Sequence, residues 1–136
     1  MRKFGRKKSN REHMMRNLAT SLILYETIDT TEAKAKDVKS YTERLIARNK
    51  KGGLSAIRVV LSKVFDKNAA QKLVTELLPR YAEKNSGFIK SYKLKNRLGD
   101  NAPMMRLELS LKKVFVSKEE TIEAKDKKET KTNTKK

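Results

Sequence analysis

Between Met104 and Leu111 the chain alternates strictly: Met105, Leu107, Leu109 and Leu111 fall on one side, Arg106, Glu108 and Ser110 on the other. That period of two marks a half-buried strand. One apolar strand face cannot stand alone, because its backbone needs neighbouring strands and its side chains need a cover. Two other segments can supply strands. Glu26-Thr27-Ile28-Asp29-Thr30 is short and rich in β-branched residues. Phe88 to Lys95 places Phe88, Tyr92 and Leu94 on one face, interrupted by Lys90, and the polar loop 96–103 separates it from the last strand. The last two strands are predicted to form an antiparallel hairpin.

The remaining apolar residues recur at helical spacing, so the cover is helical. A first helix is predicted over about 10–24, with Met14, Met15, Leu18, Ala19, Leu22 and Ile23 on one face. Ser9 and Glu12 have the spacing of a capping box at its start. A second helix follows Thr30 or Thr31. Its inward face is Ala35, Val38, Thr42, Leu45, Ile46 and Asn49, with Tyr41 at the flank, and Lys50-Lys51-Gly52-Gly53 ends it. A third, about 55–65, carries the stripe Ile57, Val60, Leu61 and Val64. After a break at 66–68, Asn68 and Gln71 read as a second capping box. The fourth helix then turns Ala70, Leu73, Val74, Leu77, Leu78 and Tyr81 inward. Pro79 lies within that pattern and predicts a kink or a restart. Asn85-Ser86-Gly87 is a turn. The fold class is α+β: one small domain over residues 9–116, ordered helix, strand, three helices, two strands, with a three-stranded sheet packed against the helices.

The ends differ in composition. Residues 1–8 form a basic arm holding Arg2, Lys3, Arg6, Lys7 and Lys8, with Arg11 close behind. It has no apolar pattern beyond Phe4, so it is expected to be disordered in the free protein and to order on a partner. Phe4 is a ring available to insert against a base or a neighbouring protein. Most other aromatics sit at core spacing, leaving no array of rings for stacking bases, so recognition by shape and backbone is expected. Residues 117–136 contain seven lysines, five acids and a single large apolar residue, Ile122, and read as a disordered tail.

Charge narrows the function. The chain carries +18, and the tail accounts for +2 of it, which leaves +16 (27 cations minus 11 acids) on residues 1–116. Such an excess self-repels in isolation and calls for a polyanion, nucleic acid first and an anionic membrane surface second. Cysteine is absent, so disulfides and thiolate metal sites are excluded. No apolar run approaches the ~20 residues of a membrane span. No hydrophobic stretch follows the N-terminal charges as a secretory signal requires, and the protein reads as cytoplasmic. His13 is the sole histidine and reads as the edge of a docked helix or a phosphate contact. Gly52-Gly53 reads as a helix stop and Asp100-Asn101 as a turn. No catalytic group, metal, cofactor or small-molecule substrate is expected.

The run GRKKSNREHMMRNLATSLILYETIDTTEAKAK, with Gly5-Arg6, Ser9, Arg11, Arg16-Asn17-Leu18-Ala19, Ser21-Leu22, Ile28, Thr30-Thr31 and Ala33-Lys34-Ala35-Lys36, resembles the N-terminal signature of the bacterial large-subunit ribosomal protein seventeen family. Gly87-Phe88, Arg97, Gly99-Asp100 and Ala102-Pro103-Met104 resemble that family's closing hairpin. The likeness spans roughly residues 1–110. It departs at Asn10, where the family usually shows histidine, and in a shorter arm. The resemblance implies the same order of elements, a structural role in the large ribosomal subunit, 23S rRNA and neighbouring ribosomal proteins as partners, and a place near the outer end of the peptide exit tunnel. The candidate rRNA-binding residues are Arg2, Lys3, Arg6, Lys7, Lys8 and Arg11 of the arm, then Arg16 and Asn17. Lys34 and Lys36, beside Lys39, make a second cluster, and Lys90, Lys93, Lys95 and Arg97 a third. Two rival readings remain from charge alone: a nucleoid-type architectural DNA-binding protein, and a basic ribonuclease dependent on His13.

Overall fold

The computed structural model describes residues 2–50 and 52–111. The tail 117–136, the last residues of the expected domain (112–116) and Lys51 of the helix stop lie outside them. The elements run α1 (Lys8–Tyr25), β1 (Thr27–Thr31), α2 (Glu32–Asn49), α3 (Gly53–Lys63), α4 (Lys67–Lys72), a π-helical turn (Leu73–Leu77), α5 (Leu78–Arg80), β2 (Ile89–Lys93) and β3 (Met104–Leu109). The last three helical pieces follow one another without a break and occupy the place of the fourth predicted helix.

The sheet has the order β1-β3-β2, antiparallel throughout. β3 is therefore the central strand, which explains why its alternation was the cleanest. Met105, Leu107 and Leu109 are buried, and the alternation ends there, since Leu111 is exposed. β2 is an edge. Only Ile89 of its residues is buried, opposite Leu109, and Phe88 is buried just before it. Tyr92 is exposed, contrary to the expected inward face. The chain switches parity as it enters the strand, and Lys90 and Lys93 on an edge discourage pairing with another chain.

Helix α2 buries all six residues of its expected face. Ala35, Val38, Leu45 and Ile46 share the core with Met15, Leu22 and Ile23 of α1 and with the inward side of the sheet. At its far end Gly52 takes φ 69° and donates its N–H to the Asn49 carbonyl, the left-handed stop that glycine permits.

Several expected details differ. The Ser9–Glu12 capping box does not form. Lys7 holds the N-cap without a side-chain bond, and its carbonyl accepts the Arg11 N–H at 3.0 Å, so Ser9 already lies inside the first turn. The Asn68–Gln71 box is replaced by Asp66, whose carboxylate accepts the Asn68 N–H at 2.9 Å. Helix α3 buries Val60, with Val64 buried just after it, while Ile57 and Leu61 are exposed. The helix meets the core along a narrower stripe than its apolar pattern offers.

The expected break at Pro79 takes the form of a π turn followed by a short α-helix, Leu78–Arg80, with Pro79 in its first turn. The backbone widens upstream over Leu73–Leu77, and the Leu78 N–H reaches back to the Leu73 carbonyl. Proline supplies no N–H and crowds the carbonyl four residues earlier, and a π turn moves that carbonyl aside while keeping the helix continuous.

The arm is not a free strand. Phe4 (φ 56°) and Gly5 (φ 59°) turn the chain, the Arg6 N–H bonds the Lys3 carbonyl, and Phe4 packs against the core. The Arg2 backbone N–H donates to Asp37 Oδ2 at 2.7 Å, and its guanidinium to the Ala33 carbonyl at 3.2 Å. A single apolar ring and a carboxylate on α2 suffice to fold the arm back, which its composition did not foretell. No helix among the described residues is long and apolar enough to cross a membrane.

Candidate nucleic-acid interface

The docked arm brings sequence-distant cations together in two places. The first is a cleft of about 430 Å3 lined by Arg6, Asn10, His13, Met14, Asn17, Leu18, Thr30 and Lys34. Residues 10, 13, 14 and 17 recur at three- and four-residue steps, so α1 presents them on one face. Arg6 arrives from the arm and Lys34 from the first turn of α2. The floor is apolar and the rim offers two cations, two amides, a hydroxyl and an imidazole. That donor set suits phosphate and sugar oxygens.

The second place is the start of α2. Glu32 has its carboxyl held below its ordinary value chiefly by a hydrogen bond from Lys36, whose Nζ lies 2.6 Å away, with further attraction from Lys93 and Arg2. Lys36 makes the ion pair, and Arg2 of the arm and Lys93 of the hairpin act on the same carboxylate from farther off. Arg2, Lys36 and Lys93 come from the three clusters that were separate in the sequence, and with Asp37 beside Arg2 they outnumber the acids three to two.

A third basic groove was missed by sequence reasoning. Tyr41, Arg44, Leu45, Arg48, Val59 and Lys63 line a cavity of about 170 Å3 between α2 and α3. The available signal was the four-residue spacing of Arg44 and Arg48, next to Tyr41 on the flank of the predicted face. Burial pushes the Tyr41 phenol up, and the nearby Arg16 opposes that shift.

Between the first cleft and this groove lies a stack of side chains. His13 and Phe65 have ring centroids 5.2 Å apart and planes inclined by 20°. The Arg16 guanidinium carbon stands 5.6 Å from the centre of the same Phe65 ring. Phe65 is 49% exposed and was not on the stripe expected to face inward. Phe4, the ring nominated for insertion, is instead partly buried.

The remaining candidates divide. Lys3, Lys7 and Lys8 are exposed on the arm and the first turn of α1, and Asn17 is exposed in the cleft. Arg11 is half-buried, with its Nε out of water and without a hydrogen-bond partner among the described residues. Lys95 is exposed, and Lys90 is exposed opposite Glu108 across the β2–β3 pair. Arg97 is engaged within its own loop. Its Nε and Nη2 grip both oxygens of Asp100 at 3.0 and 2.5 Å. That fork, with the Ala102 N–H, holds the Asp100 carboxyl at about 2. Arg97 and Asp100 thus build the turn, and Asn101 completes it with φ 52°. Arg106 similarly grips Asp29 across β1 and β3, at 2.7 Å on each oxygen. Among the described residues no group of three or more His, Asp or Glu side chains is gathered as a metal site.

A family model described as ribosomal protein L17 matches residues 14–110. The large ribosomal subunit protein bL17 of Caldanaerobacter subterraneus is 43% identical over 108 residues, 79% of this chain and 96% of that protein. The proteins of the same name in Campylobacter concisus and Pelobacter propionicus are 44% and 42% identical over the same length, covering 92% and 85% of those proteins.

Proposed function

The chain belongs to the ribosomal protein L17 family, and from that premise we propose that it is a non-catalytic structural component of the large ribosomal subunit that binds 23S rRNA along its arm-bearing face. The observation that carries this reading is the cleft where Arg6 of the arm, Asn17 of α1 and Lys34 of α2 meet, with Arg2 and Lys36 at the start of α2 and Lys93 of the hairpin near enough to act on Glu32. Cations drawn from three segments onto one surface have no role in the protein's own core. On phosphates they release counterions, which makes binding steeply salt-dependent. The arm contributes as a docked element whose lysines face outward. The family likeness further supports a place near the outer end of the peptide exit tunnel, with neighbouring ribosomal proteins in contact.

Sedimentation of native lysate on sucrose gradients in low and high salt tests the reading. Co-migration with the large subunit that survives moderate salt is the expected result. Migration with chromosomal DNA, or free at the top of the gradient, would overturn it.

A further inference from the structure

We infer that His13 and Phe65 form a stacking platform for one unpaired base of the bound RNA, an inference that rests on the rRNA-binding reading above. The platform is placed for this. His13 lines the cleft of Arg6, Asn17 and Lys34 while its ring lies on Phe65. Phe65 in turn carries the Arg16 guanidinium, and Arg16 is near enough to act on Tyr41, which lines the groove of Arg44, Arg48 and Lys63. Two rings and a guanidinium therefore lead from the first basic cleft toward the second.

The chemistry selects the ligand. An imidazole ring has two faces, and stacking on Phe65 uses one. His13 is exposed and lines the cleft, which leaves ring surface for a planar partner. A duplex offers only phosphates and groove edges to such a surface, whereas an extruded nucleotide offers a π face. With its phosphate on Arg6 or Lys34, that nucleotide can lay its base against His13 inside a cleft of about 430 Å3, within the ~300–1,000 Å3 of ordinary small-ligand clefts. Arg16 over the Phe65 ring makes the platform cationic, which suits a polyanion and strengthens stacking. An exposed phenylalanine held between an imidazole and a guanidinium is poorly explained by packing, since Phe65 contributes little to the core from where it stands.

The full chain is titrated, at moderate salt, with a short RNA duplex and with the same duplex carrying one unpaired fluorescent purine. The bulged RNA is expected to bind about tenfold more tightly, the scale of one stacked base, and its fluorescence to be quenched. Phe65→Ala should abolish the preference while leaving duplex affinity within about twofold, and His13→Ala should abolish the preference even where it also weakens duplex binding. His13→Tyr, which keeps a ring, should retain it, and this separates stacking from charge and from misfolding. Arg6→Ala with Lys34→Ala should weaken both RNAs alike. Equal affinity of the unaltered chain for the two RNAs, or a preference that survives His13→Ala, overturns the platform and leaves phosphate binding standing. Failure to bind either RNA overturns the rRNA reading as well.

Discussion

Arg80 and Glu26 meet across 54 residues of sequence, with Arg80 Nη1 lying 3.1 Å from Glu26 Oε2. Glu26 closes α1 in the left-handed conformation (φ 61°) and is 6% exposed. Lys72 Nζ reaches its other oxygen at 3.0 Å and also donates to the Leu24 carbonyl, while Arg80 donates to the Leu111 carbonyl. One buried carboxylate thereby ties the end of α1 to the fourth helical segment and to the end of the hairpin.

Removing that carboxylate leaves two cations facing each other. Glu26→Ala is expected to destabilise the protein by about 2–3 kcal/mol, below the ~3–5 of a fully buried pair because both cations keep some solvent. Glu26→Gly should lose roughly 1 kcal/mol less, since glycine accepts the positive φ without strain. Urea unfolding midpoints of the two variants check both numbers. Equal loss would mean the backbone is unstrained.

The exposed and buried faces of the helices give a sharper test of packing. Leu73 is fully buried, so Leu73→Ala should cost about 2–5 kcal/mol. Leu61, on the stripe expected to face inward, is 52% exposed. Leu61→Ala should therefore cost under ~1 kcal/mol. Thermal denaturation distinguishes the two. A large loss at Leu61 would restore the broader stripe.

Salt dependence reports on the cleft. If Arg6 and Lys34 each neutralise a phosphate, the double Ala variant should flatten the log–log dependence of RNA affinity on salt by about 1.4–1.8. Filter binding over a salt series measures it. An unchanged slope would remove both residues from the interface.

Acid sensitivity follows from the two carboxylates gripped by arginines. Arg97 and the Ala102 N–H hold Asp100 at about 2 against an ordinary 3.8, and Arg106 holds Asp29 below the same value. A depressed folded-state value adds stability above the unfolded value, which is lost as pH falls toward the folded one. Stability from these pairs should be flat above about pH 4 and decline toward pH 2. Carboxyl NMR titration of Asp100 should show a midpoint near 2, moving up in Arg97→Ala. No movement would show that the fork is not what depresses it.

Much of the fold was legible because its signals are local. The six inward residues of α2 and the alternation of β3 follow from backbone repeat and side-chain polarity, and the domain obeys both. Legibility failed where two local readings competed. Ser9 had the right chemistry for a cap, but the helix starts two residues earlier, with Lys7 as its N-cap. The Phe88 face failed because β2 is an edge whose parity is set by its neighbour.

The sequence by itself determined the order of elements, the pairing of the last two strands, the excess of positive charge and the three basic segments that carry it. Periodicity and charge are properties of neighbours along the chain, so they need no fold to be read. Only the tertiary structure decided that Arg2 and Lys93 come near the Lys36–Glu32 pair, that Arg97 serves its own loop, and that Phe65 stands outside the core under Arg16. Those relationships depend on how helices and sheet pack across dozens of residues. Where each side chain ends is set by the space its distant neighbours leave.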